Sequence, residues 1–257
     1  SFPICIAASI LRIKFIIYEN NLVIGKANKY LLPFAEKIFV SCKELEGISK
    51  KYQYKIVEIG NIIKKSIINF SSNSTIKGKN RKINILILGG SQAAKVFAEK
   101  LPKIFLKCIN QNISLKIIQQ CMPAQNESLN SFYKNNNIDF EIFNFSDDLI
   151  KYFLHTDLAI TRSGSSMLAE LTNANIPFIS VPLPSSADNH QLKNALFYNK
   201  KKLSYLIEEK DLNESLFNQI KEIYENKSLL VNIRQNQKQF SDKNVYDNID
   251  REIKNYL

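Results

Sequence analysis

Cysteine is sparse and scattered in this chain of 257 residues. Cys5, Cys42, Cys108 and Cys121 have no CxxC spacing and no histidine nearby in sequence, which speaks against a zinc site or a dithiol pair. Reduced, mostly buried thiols in a cytosolic protein are the expectation. Histidine is rarer still, with only His155 and His190. Neither stands at a spacing from serine or aspartate that suggests a hydrolytic triad. His155 closes a predicted helix and reads as structural, whereas His190, in a polar loop beside Gln191, is the better ligand candidate. Glycine numbers seven, with neither GxGxxG nor GxxxxGK[ST] among them, so neither a dinucleotide fingerprint nor a P-loop is supported. Long hydrophobic runs are missing too. The apolar start from Phe2 to Leu11 stops at Arg12, too short to span a bilayer. It also lacks the preceding basic region of a signal peptide. The first residue is serine, which suggests a piece of something longer.

Acidic residues are outnumbered, 24 against 35 basic, giving a formal charge of +11. Such a balance fits nucleic acid, anionic lipid or a phosphorylated substrate. The lysines are spread through a chain rich in Asn and Ile and lack interleaved aromatics, which argues against a nucleic-acid partner. A hydrophobic content of 45% supplies a real core.

Apolar runs and helical periods alternate along the chain. Residues 1–60 read as a helix through Ile10, strands at Phe15–Tyr18, Ile38–Val40 and Ile56–Glu58, and a helix after Gly25; this alternation predicts a parallel sheet covered by helices. Only about half a domain is visible there. Glu19-Asn20-Asn21 falls just past a predicted strand, where open α/β folds place ligands, and Lys64 lies similarly beyond Gly60-Asn61. Either could equally be a plain polar loop. The polar texture from 62 to 82 reads as a linker. Beyond it, INILILGGSQAAKVFAEK is a buried strand, a glycine turn and a helix. Strands at Leu115–Ile118, Phe140–Phe143 and Pro177–Val181 make a second doubly wound domain, followed by amphipathic helices over 210–240 and a last helix with Val245, Ile249, Ile253 and Leu257 on one face.

The most informative stretch is DLAITRSGSSMLAE, from Asp157 to Glu170. A small-residue turn from strand to helix leaves backbone N–H groups outward with the positive helix end behind them, a seat for phosphate. Glu170 follows within the helix, where a carboxylate can accept hydrogen bonds from a ribose diol. Phosphate and ribose together suggest a nucleotide. The same residues would also serve as a plain helix cap and a first-turn acid.

Taken together, YENNLVIGKANKYL, Gly60-Asn61, GGSQAA, Phe145-Ser146-Asp147-Asp148-Leu149, RSGSSMLAE and VPLPSSADNHQLKNA occur in an order that resembles the MurG family. That family comprises undecaprenyl-diphospho-muramoylpentapeptide N-acetylglucosaminyltransferases of bacterial cell-wall synthesis. The resemblance implies a GT-B fold of class α/β, with two Rossmann-like domains of parallel sheets facing across a cleft. It divides the chain into residues 1–61 (the end of an incomplete acceptor-side domain), linker 62–82, donor-binding domain 83–240, and a helix 241–257 that returns to the first domain. It further implies inverting transfer of GlcNAc from UDP-GlcNAc to the 4-hydroxyl of the undecaprenyl-linked muramoyl-pentapeptide. No cofactor or metal is expected, in keeping with the absence of an Asp-x-Asp motif. The protein would sit peripherally on an anionic membrane surface at the cytoplasmic face of the inner membrane.

Residue by residue, the resemblance implies that Ser91 binds a UDP phosphate and Ser146 offers its backbone to uracil. Ser165, Ser166, Met167, Leu168 and Ala169 would line the phosphates and sugar, Glu170 would hold the ribose, and Gln191 would read GlcNAc hydroxyls. Asn21 would reach the donor from the other domain. Lys64 stands where the family has arginine, keeping the charge but losing the bidentate fork. Tyr18 replaces a family histidine. Glu19 matches the motif's acid and is the catalytic candidate, assisting the acceptor or organising the cleft. The family's general base is often placed in a GGTGGH segment that these residues do not include. Two rivals remain at this level: an inactive or split fragment that only binds UDP-sugar, and a UDP-GlcNAc 2-epimerase of the same fold.

Overall fold

The computed structural model describes residues 2–70, 82–89 and 93–254. Two parallel sheets organise it. The first contains β1 (Ile16–Glu19), β2 (Lys37–Val40) and β3 (Ile56–Glu58) in the order β1-β2-β3. The second contains β4 (Ile83–Leu88), β5 (Leu115–Gln120), β6 (Asp139–Phe143), β7 (Leu158–Thr161), β8 (Phe178–Ser180) and β9 (Tyr205–Leu206) in the order β6-β5-β4-β7-β8-β9. Counted within its own sheet, this is the doubly wound order 3-2-1-4-5-6, whose direction of winding reverses between β4 and β7. Ligands of such sheets bind outside the carboxyl ends at that reversal.

The β4 sequence INILIL shows why the second sheet is central. Ile85, Leu86 and Ile87 are wholly buried, so both faces of the strand are covered. One face packs against α4 (Ala93–Asn110) and α5 (Asn126–Asn135) through Phe97, Leu101, Phe105, Leu129 and Tyr133. The other packs against α6 (Ile150–Phe153), α7 (Ser165–Asn173) and α8 (His190–Lys200) through Phe153, Leu168, Leu171, Phe197 and Tyr198. Each such side chain contributes on the order of 1.5–3 kcal/mol, an upper range because unfolded chains already bury part of this surface.

The first sheet is thinner. Ile17, Ile38 and Val40 meet Ile24, Leu31, Leu32 and Ala35 in a small core beneath α2 (Lys26–Leu31). Lys55 is buried there, its ammonium donating to the carbonyls of Leu32, Pro33 and Ala35 beyond the end of α2; a cation suits unpaired helix-end carbonyls. By contrast, α1 (Phe2–Ile10) buries no residue, and Ile4 and Ile10 are about three-quarters exposed, at 75% and 76%.

One expectation needs correction. The stretch 62–82 is not a free linker throughout: Lys65–Ile68 forms the short helix α3, and Ile63 and Ile67 lie in the same core as Leu86 and Ala159. Apolar residues four apart gave this segment a helical face to bury. The side chain of His155 is exposed, and its carbonyl accepts from Asn84 at 2.8 Å. Three cysteines, Cys42, Cys108 and Cys121, are buried and free; burial pushes the thiol of Cys42 up to about 11 and that of Cys108 up to about 12.

After α9 (Phe217–Glu225) and α10 (Ser228–Gln239) the chain crosses back to the first sheet. There α11 (Val245–Lys254) packs Val245 against Phe39 and Ile59. Asn248 donates to the carbonyl of Ile59 at 3.1 Å, and Tyr246 to that of Ile63 at 2.8 Å. Ile253 is 40% exposed, and Leu257 lies outside the described residues.

Candidate functional site

The strand β7 is buried along its whole length and ends in Arg162-Ser163-Gly164, at the reversal point of the larger sheet. Arg162 is a scaffold rather than a free cation. It is nearly buried, pairs with Glu209 at 2.6 Å, donates to the carbonyls of Val181 and Pro182, and lies over the ring of Phe97. Ser163 is clamped from α8: its N–H donates to Gln191 Oε1 at 3.2 Å, and its carbonyl accepts from Asn194 Nδ2 at 3.1 Å. The turn is therefore rigid.

Helix α7 starts immediately after. Gly164 flanks it in extended conformation, and no side chain caps the helix, so the serines are not cap residues here. The first helical N–H groups thus keep their capacity for an anion. A Cβ on Gly164 would meet nothing within 4 Å, and its φ is an ordinary −67°. Neither backbone strain nor packing requires glycine at this position, whereas close approach of a ligand to the backbone would. Ser165 is buried and Ser166 exposed at the mouth, with Met167 between. Leu168 and Ala169 do not join them. Both side chains are fully buried in the core, and the N–H of Leu168 is bonded to the carbonyl of Gly164.

Glu170 is half-buried on α7, and burial raises its carboxyl above the ordinary value while Lys64 opposes that rise. Lys64 also donates to the carbonyl of Asp147 at 3.1 Å. It thereby draws the Ser146 loop towards Glu170; Ser146 Oγ itself donates to the carbonyl of Asp148 at 2.9 Å. Ser91 lies outside the described residues.

From the smaller sheet, the carboxyl end of β1 enters the same cleft. Asn20 Nδ2 donates to Ser166 Oγ at 3.2 Å, directly across it. Asn21 accepts from Asn194 Nδ2 at 3.2 Å, and the N–H of Leu22 donates to Asn194 Oδ1. Glu19 is 4% exposed and accepts four hydrogen bonds, from the N–H and amide of Asn21, the N–H of Gly25 and the amide of Asn28. Tyr18, raised to about 12 chiefly by burial, accepts from the N–H of Ile62 at 3.1 Å; its phenol stays protonated at neutral pH.

A profile of the glycosyltransferase family 28 C-terminal domain matches residues 84–250. The chain is 37% identical over 254 residues to a Pelagibacter ubique protein named UDP-N-acetylglucosamine–N-acetylmuramyl-(pentapeptide) pyrophosphoryl-undecaprenol N-acetylglucosamine transferase, covering 98% of this chain and 70% of that one. A Rickettsia felis protein of the same name is 34% identical over 238 residues, covering 90% of this chain and 66% of that one. The chain belongs to the MurG family. In fold, it is similar to the crystal structure of Acinetobacter baumannii MurG, with a TM-score of 0.77, 24% identity, and coverage of 98% of this chain and 70% of that chain. A putative UDP-N-acetylglucosamine 2-epimerase from Listeria monocytogenes shares the fold at a TM-score of 0.71 and 14% identity, covering all of this chain and 71% of that one.

In this MurG-family chain, contacts link Ser166 with Asn20; Asn21 and Gln191 with the Ser163 turn by way of α8; and Lys64 with Glu170 and the loop of Ser146, while Met167 is partly buried against the core of the larger sheet. Asn194 went unread in the sequence. Asn194 stands three residues after Gln191, one helical turn on, so the pair share a face of α8; that spacing was the available signal. Asn20 is legible only as part of Glu19-Asn20-Asn21 past the end of β1; its pairing with Ser166, 146 positions away, has no local signal.

Proposed function

We propose that this chain carries the donor-binding half, and part of the acceptor half, of an inverting transferase that moves GlcNAc from UDP-GlcNAc to a lipid-linked muramoyl-pentapeptide. The observation that carries the reading is the uncapped start of α7, open in front of Gly164, with Glu170 half-buried five residues into the same helix and Lys64 beside it. The diphosphate takes the free N–H groups of Ser165, Ser166 and Met167. The ionised Glu170 accepts from both ribose hydroxyls. Uracil lies against the backbone at Ser146. The amide nitrogen of Gln191, whose oxygen is committed to Ser163 and Leu183, donates to the sugar, and Asn21 meets it from the other side.

In the reaction, the bond from the GlcNAc anomeric carbon to the UDP oxygen breaks as the 4-hydroxyl of the acceptor forms its own bond to that carbon. The hydroxyl proton passes to a base. UDP leaves with the added negative charge, which the α7 N-terminus and Lys64 stabilise through pre-oriented dipoles and a cation. Glu19 is assigned to positioning rather than to proton transfer, because four donors already fill its lone pairs and lock Asn21 in place.

Attachment to an anionic membrane face is supported by Tyr30, Phe34 and Tyr54, which are 70%, 55% and 70% exposed, in a neighbourhood that holds Lys26, Lys29, Lys50 and Lys51. Each well-placed lysine adds about 1 kcal/mol of attraction to such a surface. Among the described residues no helix is long and apolar enough to cross a membrane, and the proposed attachment is peripheral, on the cytoplasmic side. Incubation with labelled UDP-GlcNAc and the lipid-linked muramoyl-pentapeptide tests the reaction. Transfer of label to the lipid supports it. Epimerised nucleotide sugar without lipid product would assign the site to the rival reaction of this fold, and binding without any product would leave the chain a donor-binding fragment.

A further inference from the structure

Asp242 lies between α10 and α11 and touches none of the groups assigned to the substrate, yet its carboxylate holds together the two elements that carry the site. Oδ1 accepts from the N–H of Asn61 at 2.8 Å. Oδ2 accepts from Asn61 Nδ2 at 3.1 Å and from Asn173 Nδ2 at 2.7 Å. The N–H of Asp242 returns a bond to Asn173 Oδ1 at 2.9 Å. Asn61 and Asn173 are both over nine-tenths buried, at 6% and 8% exposure.

Each asparagine leads to the cleft. Asn173 is the last residue of α7, three positions after Glu170, and its amide also donates to the carbonyl of Ala169. Asn61 begins the segment that Tyr18 grips through the N–H of Ile62, and Tyr18 is followed directly by Glu19, Asn20 and Asn21. Gly60 makes the approach feasible. Its φ is +97°, and a Cβ there would stand 2.7 Å from Asp242 Oδ1, so a side chain is barred by both conformation and space. The cross-lobe ion pairs Lys193 with Glu46 and Lys201 with Glu44 are exposed and constrain far less.

We propose that Asp242 is a positioning residue that fixes α7 relative to the end of β1, so that Asn21 meets a sugar whose nucleotide is bound on the other lobe. The negative charge matters because three N–H donors converge on it. An asparagine of the same shape would turn an NH2 group towards one of them.

The proposal rests on the donor site described above and is tested by titrating UDP and UDP-GlcNAc separately into the wild type, Asp242→Asn and Asp242→Ala, with amide hydrogen exchange on each. On the donor-site reading UDP is held by the α7 lobe and by Lys64, whose neighbours Ile63 and Ile67 pack in the core of that lobe, so its affinity should stay within about threefold. The affinity gained from the GlcNAc moiety should fall at least about tenfold in both variants, and exchange at Asn61 and Ile62 should rise. A variant that keeps the wild-type ratio of the two affinities would overturn the proposal. So would loss of UDP binding together with raised exchange throughout both sheets, since that marks a merely structural role. If the wild type binds neither nucleotide, the donor-site reading itself fails and exchange alone decides: selective deprotection at Asn61 and Ile62 in Asp242→Asn supports the coupling, and unchanged protection there refutes it.

Discussion

Among the described residues, both sheets are parallel, and they differ in how they are covered. The larger has six strands, two covered faces and fully buried central strands. The smaller has three strands of no more than four residues, with β1 at an edge and an α1 that buries nothing. Much of what holds the smaller sheet comes from outside it: Leu22 and Cys42 share the core of the larger sheet, and α11 closes over Phe39 and Ile59. In the proposed function, the nucleotide is held by the lobe of the larger, doubly covered sheet, and Asn21 comes from the smaller one, tied to its neighbour through Asn194.

The largest expected effects come from cutting each core at one side chain. Ile160 and Ile38 are both fully buried, and truncation of either to alanine should cost about 2–5 kcal/mol locally. Ile160→Ala should lower the melting temperature of the whole chain and abolish UDP binding. Ile38→Ala should raise hydrogen exchange chiefly in residues 16–58 and leave UDP binding intact. Equal, global exchange in both variants would show the two sheets to be a single cooperative unit and remove the contrast.

A smaller but sharper effect belongs to the site. Glu170→Ala should weaken UDP binding about tenfold to a hundredfold, the range for hydrogen bonds to a charged acceptor, without altering exchange in either core. Its pH dependence follows from the burial that raises the Glu170 carboxyl. The folded chain then holds this proton more tightly than the unfolded chain. The group's contribution to stability is therefore fully present at low pH and lost as pH rises through the ordinary carboxylate value and up to the raised one. Nucleotide affinity should move oppositely, increasing over that window as the carboxylate forms, and should be flat in Glu170→Gln. Lys64→Met removes the opposing charge and should shift the rise to higher pH; calorimetry across a pH series reads both.

The smallest effect is expected at the cross-lobe ion pair of Lys201 and Glu44, whose side chains are 38% and 60% exposed. Lys201→Ala should change stability by less than about 1 kcal/mol, and the difference from wild type should shrink in high salt. A thermal melt at two ionic strengths measures it.

Much of this was legible in the residues. The strand INILIL declared itself by an unbroken apolar run, and RSGSSMLAE by small residues set between a strand and a helix, because both signals are local. The misread stretch at 62–70 is instructive: Lys64, Lys65 and Ser66 masked Ile63 and Ile67, which become core only because the larger sheet lies beneath them. Asp242 and Asn173 were illegible for a related reason. Polar residues in a loop and at a helix end look solvent-facing until a partner far away in sequence supplies the donors, here at separations of 181 and 69 positions.

The most direct test of the account is a calorimetric titration of UDP-GlcNAc into this chain, with ADP-glucose as the control ligand and Glu170→Ala as the control protein. The account predicts one saturable site, selective for the uridine sugar and lost in the variant. Failure of a demonstrably folded chain to bind, or equal affinity for ADP-glucose, would contradict it.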